Sequence, residues 1–159
     1  GPGDHVLVLD DGKVELEIRA LGLDDLNMPY GKLLERLDGW LGEFTDPVEE
    51  IDEAVRQAFD KGFVLGAFDG RTLRGLTVLV RTGFDVFIPR FHMAYIATER
   101  GAKGMGIATQ LIQEAIERSG GSLSLHVDFA NEKAVRLYEK MGLRRKYARM
   151  LYVGGEGGS

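Results

Sequence analysis

The fold of this chain is decided by residues 91–143, which read FHMAYIATERGAKGMGIATQLIQEAIERSGGSLSLHVDFANEKAVRLYEKMGL. The first eight residues form a mostly apolar run, typical of a strand that is covered on both faces. A glycine-rich turn follows, and after it come apolar residues at helical spacing, an alternating run at 123–127 and a second helical pattern. The segment therefore predicts strand, glycine loop, helix, strand and helix.

The loop at 99–106 is the first candidate binding site in this segment. Its three glycines allow backbone amides to approach a ligand closely. The amides in the first turn of the following helix have no helical acceptor and carry the positive end of the helix dipole. A pyrophosphate group would satisfy both demands, and we expect Lys103 and Arg100 to add positive charge at the rim.

Two other phosphate-binding motifs fit this loop poorly. A Walker loop ends in Gly-Lys-Ser/Thr, whereas this loop ends in Gly-Met-Gly-Ile. A dinucleotide-binding fold needs G-x-G-x-x-G and an acidic residue at the end of the next strand. Asp128 stands near that strand end, but the glycine spacing is different.

The second half of the segment makes the pattern specific. Asn131 is placed to cap the last helix and Gly142 to end it. Together, Gly101-Ala102-Lys103-Gly104-Met105-Gly106 and Asn131…Ala134…Leu137-Tyr138…Gly142-Leu143 resemble the two motifs of the GNAT superfamily, the acyl-CoA-dependent N-acyltransferases. One position departs from the family pattern, because Gly101 stands where Gln or Arg is usual and Arg100 lies one residue earlier.

The resemblance implies an α/β fold, a bent mixed sheet of six to seven strands flanked by about four helices. The strands that end at Thr98 and Val127 should splay apart, and coenzyme A should lie in the gap. The implied cofactor-binding residues are the end of the first strand, the glycine loop with the helix start, and three residues near the last helix: Ile96, Ala97, Thr98, Gly101, Ala102, Lys103, Gly104, Met105, Gly106, Ile107, Ala108, Thr109, Asn131, Lys133 and Tyr138.

The reaction implied by the resemblance is transfer of an acetyl group from acetyl-CoA to a primary amine. The chain has no cysteine, so a cysteinyl acyl-enzyme is excluded and direct attack in a ternary complex is expected. Two non-catalytic alternatives stay open. An acyl-CoA-binding regulatory module would have the same glycine loop, and so would a nucleotide-binding protein.

Two residues are the candidate catalytic groups. Tyr138 matches the general acid of the family, and the alternative is a packed aromatic residue whose hydroxyl is bonded to the backbone. His92 stands at the spacing of the family's general base, and a histidine titrates near neutral pH. The alternative for His92 is a structural histidine, which is also our interpretation of His126. Further base candidates follow from their residue type alone: Glu35, Glu43 and Tyr95.

The first 90 residues predict strands, two helices and a hairpin. A strand is expected at 14–19, and residues 6–9 are expected to form either a short strand or an ordered arm. Pro29 and Gly31 predict that a first helix between 23 and 41 is either broken or starts late. Asp46 is the expected cap of a second helix that has Pro47 at its first position and ends at Lys61-Gly62. Residues 63–70 and 72–83 predict a hairpin that turns at Asp69-Gly70-Arg71.

Composition and charge limit the remaining possibilities. The 159 residues are 44% hydrophobic, enough for one core, and we expect one domain over 4–153, an expression scar at 1–3 and a flexible tail at 154–159. Three separated histidines and no cysteine argue against a metal site. No membrane span, signal peptide or basic nucleic-acid-binding patch is present, so we expect a cytoplasmic monomer or homodimer.

The charge is distributed unevenly along the chain. Residues 1–90 hold 18 acidic and 10 basic residues, whereas residues 91–159 hold 7 acidic and 10 basic residues. The acidic first part favours a cationic acceptor, such as a protein lysine, a protein N-terminus or a polyamine. An ordinary solvated surface is the alternative explanation of these acids.

Overall fold

The computed structural model describes residues 7–8, 14–102 and 105–155. In these residues the chain forms seven strands, four α-helices and one 3-10 turn. In chain order they are β1 Leu7–Val8, β2 Val14–Glu15, β3 Glu17–Leu21, α1 Tyr30–Leu41, the 3-10 turn Gly42–Phe44, α2 Val48–Lys61, β4 Phe63–Asp69, β5 Thr72–Arg81, β6 Phe91–Thr98, α3 Ile107–Arg118, β7 Leu123–Leu125 and α4 Glu132–Lys140.

Five of the strands form one mixed sheet in the order β3-β4-β5-β6-β7. All neighbours in it are antiparallel except β6 and β7, which are parallel and are connected through α3. The predicted α/β fold is confirmed. The expected six to seven strands in the sheet are too many, because β1 and β2 pair only with each other in the described residues and because residues 144–153 form no strand.

Local signals explain most of the element boundaries. The β4–β5 hairpin turns at Gly70, whose φ of 60° is readily adopted by glycine. Helix α1 starts directly after Pro29, so of the two alternatives, a broken helix or a late start, the structure has the late start. β7 ends at Leu125, two residues earlier than the alternating pattern predicted.

The predicted capping of α2 by Asp46 is wrong. The helix begins at Val48, Pro47 occupies the N-cap position, and no side chain caps the first turn. Asp46 instead accepts a hydrogen bond of 2.7 Å from the Tyr95 hydroxyl, which comes from the centre of the sheet. The Asp46 carboxylate therefore makes a tertiary hydrogen bond to Tyr95 instead of the local hydrogen bond to the first turn of α2.

The core has one cluster on each face of the sheet. The α1–α2 face and the α3 face each bury side chains from the central strands β4, β5 and β6. Gly75 of β5 lets the start of α3 lie directly on the sheet, because a Cβ at this position would lie 2.5 Å from Cγ2 of Ile107. The prediction of a single domain over 4–153 stays a prediction.

Candidate active site

The candidate site lies where β6 and β7 separate. Their parallel pairing covers only 91–93 with 123–125, so the rest of β6 has no described strand on that side. At the same point β6 contains a β-bulge, because Met93 pairs with Leu79 and Tyr95 with Val78, which leaves Ala94 extra. A bulge bends its strand. A gap therefore opens beside residues 94–98.

The fully buried Thr77 holds this bulge in place. Its hydroxyl donates a 2.8 Å hydrogen bond to the carbonyl of Tyr95. A threonine in a β-branched run gives no sign of this role, so sequence reasoning missed it. Only the cross-strand register brings Thr77 to the point where β6 bends.

The glycine loop leads from β6 to the N-terminus of α3. Gly101 has a φ of 84° and Gly106, at the N-cap position, has a φ of 72°, so both are in the left-handed region that favours glycine. The predicted residues Lys103 and Gly104 lie outside the described residues. The amides of Ala102 and Met105 already have carbonyl acceptors inside the loop, at 3.3 and 3.4 Å.

The start of α3 offers the free amides. The first hydrogen bond of the helix runs from the Gln110 amide to the Gly106 carbonyl, at 3.0 Å. The amides of 107–109 therefore have no backbone acceptor in the part of the chain that the structure describes. Three such amides at the positive end of a helix dipole form a suitable place for an anionic group.

Two side chains tie the loop to the rest of the domain. The Arg74 guanidinium pairs with the Glu99 carboxylate, and the Glu99 amide donates to the Arg74 carbonyl at 2.8 Å. The Arg100 Nε donates to the carbonyl of Gly39 at 3.3 Å, at the C-terminal end of α1. Arg100 is therefore engaged with α1, which differs from the expectation that it adds charge at the loop rim.

Tyr138 projects from α4 onto the α3 face of the sheet. It is half-buried against a cluster that includes Met93 and Ile107. Burial raises the pKa of Tyr138 to about 12, so the phenol is protonated at neutral pH. Its hydroxyl makes no hydrogen bond to any described residue, unlike the backbone-bonded tyrosine that was the alternative.

The remaining predicted cofactor-binding residues of α4 lie at its N-terminus. Asn131 caps the helix, as predicted, because its Oδ1 accepts a 3.3 Å hydrogen bond from the Ala134 amide. Its side-chain NH₂ group makes no hydrogen bond to a described residue. Lys133 is exposed on the first turn.

His92 lies on β6 opposite Ser124 of β7. The His92 Nδ1 is 3.0 Å from the Ser124 Oγ, and the His92 and His126 ring centroids are 4.6 Å apart. Burial, then His126 and then Arg149 lower the pKa of His92 to about 4. His92 is therefore neutral at pH 7. No sequence pattern groups these side chains, because they meet only through the parallel register of β6 and β7.

The two candidate catalytic residues approach the gap from opposite faces of the sheet. Phe91 and Met93 pack on the α3 face, and side chains alternate along a strand, so His92 points to the α1–α2 face. Tyr138 lies on the α3 face. The two residues are therefore not in one cluster but on either side of the opening between β6 and β7.

The acidic start of α2 lies on the same face as His92. Tyr95 donates to Asp46, and burial, that hydrogen bond and the charges of Asp46 and Glu50 raise the Tyr95 pKa. A tyrosine whose proton is held in this way is not a base. Of the other base candidates, Glu35 pairs with Lys32 at 3.1 Å and Glu43 lies exposed in the 3-10 turn.

A model of the acetyltransferase (GNAT) family matches residues 32–143, more than half of the chain. The chain belongs to the GNAT acetyltransferase family. The matched region of this GNAT domain runs from α1 through α4, so it contains the gap, the glycine loop and every predicted site residue.

Solved structures of low sequence identity share the GNAT fold. A Bacillus subtilis acetyltransferase in complex with CoA is 21% identical, with a TM-score of 0.64 and coverage of 84% of this chain and 79% of that one. Ribosomal-protein-alanine N-acetyltransferase from Brucella melitensis is 17% identical, with a TM-score of 0.67 and coverage of 87% and 99%. The NatC complex bound to Gag peptide and CoA is 21% identical, with a TM-score of 0.66 and coverage of 83% and 87%. No curated protein matches the sequence.

Two kinds of feature are absent from the described residues of the GNAT domain. None of its helices is long and apolar enough to cross a membrane. Histidine, cysteine, aspartate and glutamate side chains form no group of three or more that could hold a metal ion within 7–8, 14–102 and 105–155.

Proposed function

We propose that this GNAT domain transfers an acetyl group from acetyl-CoA to the primary amine of a cationic acceptor. The observation that carries the proposal is the gap between β6 and β7. The amides of 107–109 lie at one end of it and the Tyr138 hydroxyl lies beside it, and none of these groups bonds to a described residue. CoA in the Bacillus subtilis and NatC structures supports acetyl-CoA as the donor. The peptide in NatC and the named activity of the Brucella protein support an amine acceptor.

The donor would lie along the free edge of β6. Its pyrophosphate would accept hydrogen bonds from the amides of 107–109, with the loop at 101–106 around it. Its pantetheine arm would pair with the backbone of 96–98 and with the free NH₂ group of Asn131. Lys133, exposed at the start of α4, would meet the phosphate of the nucleotide.

The acceptor ammonium has to lose a proton before its nitrogen can attack the thioester carbonyl. His92 would accept this proton directly or through a water molecule. With a pKa of about 4, His92 is available at pH 7 but holds a proton only weakly. The proton would therefore pass on, and the exposed ring of His126, 4.6 Å away between centroids, is placed to carry it to solvent.

Attack forms a tetrahedral oxyanion, and a backbone amide near Ile96 would stabilise it. Collapse of the oxyanion breaks the C–S bond and releases a thiolate. Full proton transfer from Tyr138 to a thiolate of ordinary pKa, about 8.5, would be uphill by about 5 kcal/mol. Tyr138 would therefore act by donating a hydrogen bond to the sulfur as its charge develops, and solvent would complete the protonation.

The acidic residues at the start of α2 support a cationic acceptor. Asp46 lies against Tyr95, and Glu50 is close enough to raise the Tyr95 pKa. Both acids lie on the face to which His92 points. A lysine or polyamine approaching His92 from that face would meet negative charge.

An acceptor screen with acetyl-CoA, followed by detection of free thiol, tests this function. Lysine peptides, free N-terminal peptides and polyamines should each be compared with their acetylated forms, which lack the reacting amine. Amine-dependent thiol release supports the proposal. Tight acetyl-CoA binding without amine-dependent release from any acceptor class would favour the regulatory module instead.

A further inference from the structure

Thr77 is a polar residue in a run of β5 that is otherwise apolar. The run is LTVL at 76–79, and all four residues are fully buried. A valine has almost the same shape as a threonine, and taking a hydroxyl out of water is unfavourable unless the hydroxyl is hydrogen-bonded. The Thr77 hydroxyl therefore needs a partner, and it donates to the carbonyl of Tyr95 on β6, at 2.8 Å.

The register between β5 and β6 shows which way the backbone groups of β6 point. The pairing continues just past the end of β6, where the Glu99 amide donates to the Arg74 carbonyl at 2.8 Å. In an antiparallel pair, residues that bond to the partner strand alternate with residues that do not. Counting back from Glu99, Tyr95 therefore directs its carbonyl to β5, and Ile96 directs its amide to the other side of β6.

The other side of β6 at Ile96 is the gap. The parallel pairing with β7 ends at Met93, so no described strand faces the Ile96 amide. Tyr95 and Ile96 share one planar trans peptide group, in which the carbonyl and the amide point in opposite directions. A hydrogen bond that holds the Tyr95 carbonyl toward β5 therefore also aims the Ile96 amide into the gap.

This peptide group lies directly after the bulge at Ala94, where the register between β5 and β6 shifts. A bulge disrupts the hydrogen bonds between its two strands, so the backbone beside it is held less firmly than in a regular ladder. The Thr77 hydroxyl supplies a bond at this point that a valine would lack. A bond to the Tyr95 carbonyl also polarises the peptide group, which makes the Ile96 amide a stronger donor.

We propose that Thr77 is a positioning residue for acyl transfer, because its hydroxyl orients and polarises the peptide group whose Ile96 amide stabilises the oxyanion. Thr77 acts through the backbone of β6 and does not touch the substrate. This role rests on the proposed function, in which the acetyl carbonyl lies in the gap near Ile96. The alternative role is purely structural: a buried hydroxyl bonds to a nearby carbonyl and contributes only to stability.

The first test compares turnover of full-chain variants with the amine that gives the fastest thiol release in the acceptor screen. Thr77→Val keeps the shape and removes the hydroxyl. Its kcat should fall roughly 10- to 100-fold, because a misdirected oxyanion donor loses less than the 10²–10³-fold expected for a deleted one. Thr77→Ser keeps the hydroxyl and should bring kcat back close to that of the wild type. The Kd of CoA, measured by calorimetry, should be the same in all variants, since CoA has no acetyl carbonyl.

The matched control is Thr82→Val. Thr82 follows the last residue of β5, and its hydroxyl also donates to a backbone carbonyl, that of Pro89, at 2.7 Å. The control therefore loses the same kind of bond away from residues 94–98, and it should lower stability in urea but leave kcat unchanged. A kcat that falls equally in Thr77→Val and Thr82→Val, or that Thr77→Ser does not restore, would assign Thr77 a structural role and overturn the proposal.

An infrared measurement without any amine separates this role from the acyl transfer itself. The carbonyl stretch of isotope-labelled acetyl-CoA should move to lower frequency on binding, because a hydrogen bond from the Ile96 amide weakens the C=O bond. The shift should be smaller in Thr77→Val and unchanged in Thr82→Val. A wild type without the shift, or an equal shift in Thr77→Val, overturns the role of Thr77. A shift that depends on Thr77 in a protein that no amine turns over supports that role and contradicts only the proposed acyl transfer.

Discussion

The β4–β5 hairpin and the β7–α4 unit belong to the same sheet, but their environments differ. The hairpin is covered on both faces and contributes fully buried residues to both clusters, such as Leu65 and Leu76. The β7–α4 unit contributes none, since every described residue after Ser119 is at least partly exposed. Yet Tyr138, Asn131 and Ser124, the partner of His92, lie in this open unit.

The two regions therefore differ in role: the hairpin contributes to stability, and the β7–α4 unit holds residues of the candidate site. The hairpin uses both faces of its strands for packing, so it mainly maintains the shape of the sheet. In the β7–α4 unit, the Tyr138 hydroxyl and the outer edge of β7 have no partner among the described residues. Unpaired groups of this kind cost stability, and they are what a ligand can bind.

The largest expected effect comes from the open unit. Tyr138→Phe should lower kcat by about 10²–10³-fold, the range for losing one hydrogen-bond donor to charge that develops in the transition state, while acetyl-CoA binding measured by calorimetry stays unchanged. Tyr152→Phe removes the hydroxyl of an exposed tyrosine near the C-terminus and should leave kcat as it is. A Tyr138→Phe enzyme with full turnover would show that the hydroxyl is not used.

The hairpin should dominate stability instead. Leu76→Ala deletes a fully buried side chain and should cost about 2–5 kcal/mol. Leu137→Ala, on the half-buried stripe of α4, should cost about 1 kcal/mol, since less apolar surface is lost. Urea unfolding with unchanged m-values would measure both. Equal costs would mean that the β7–α4 unit is packed as tightly as the hairpin.

A moderate effect is expected from the acidic surface of α2. Replacing Glu49, Glu50 and Glu53 together with Gln should raise the KM for a cationic acceptor about 3- to 30-fold at low salt, since each charge contributes a fraction of a kcal/mol. The KM for acetyl-CoA should not change. Glu117→Gln, on α3 across the sheet, is the control. An unchanged acceptor KM would leave these acids as an ordinary solvated surface.

The smallest effect concerns the histidines at the gap. The His92 imidazole should stay neutral down to about pH 4 in an NMR titration, with its signal assigned from His92→Gln. The His126 side chain disfavours the protonated form of His92. In His126→Gln the His92 pKa should therefore rise by up to about one unit. Arg149→Gln should act in the same direction, because it removes a nearby positive charge. Arg145→Gln, whose partner is Glu139, is the control.

The low pKa of His92 in the folded protein has a consequence for the free energy of unfolding. Its pKa is lower in the folded protein than in the unfolded chain, so between about pH 6.5 and 4 the unfolded chain binds the extra proton. Because this proton binds only to the unfolded chain, the folded protein loses stability as the pH falls through this range. His92→Gln should lack this part of the pH dependence in thermal unfolding.

The sequence by itself determined the elements that depend on near neighbours. Pro29 set the start of α1, Asn131 and Gly142 the ends of α4, and Gly70 the hairpin turn, because caps and turns act within a few residues. The paired motifs of 101–106 and 131–143 also indicated the family and made Tyr138 the candidate general acid. These signals are local, so one sequence is enough to read them.

Only the tertiary structure decided what distant residues do to each other. In the folded protein Asp46 bonds to Tyr95 instead of capping α2, and Arg100 bonds to the end of α1. Thr77 bonds to the strand at the bulge formed by Ala94. The fold also brought His92 together with Ser124 and His126. Such contacts depend on strand register and side-chain reach across the sheet, neither of which the spacing of residues along a chain records.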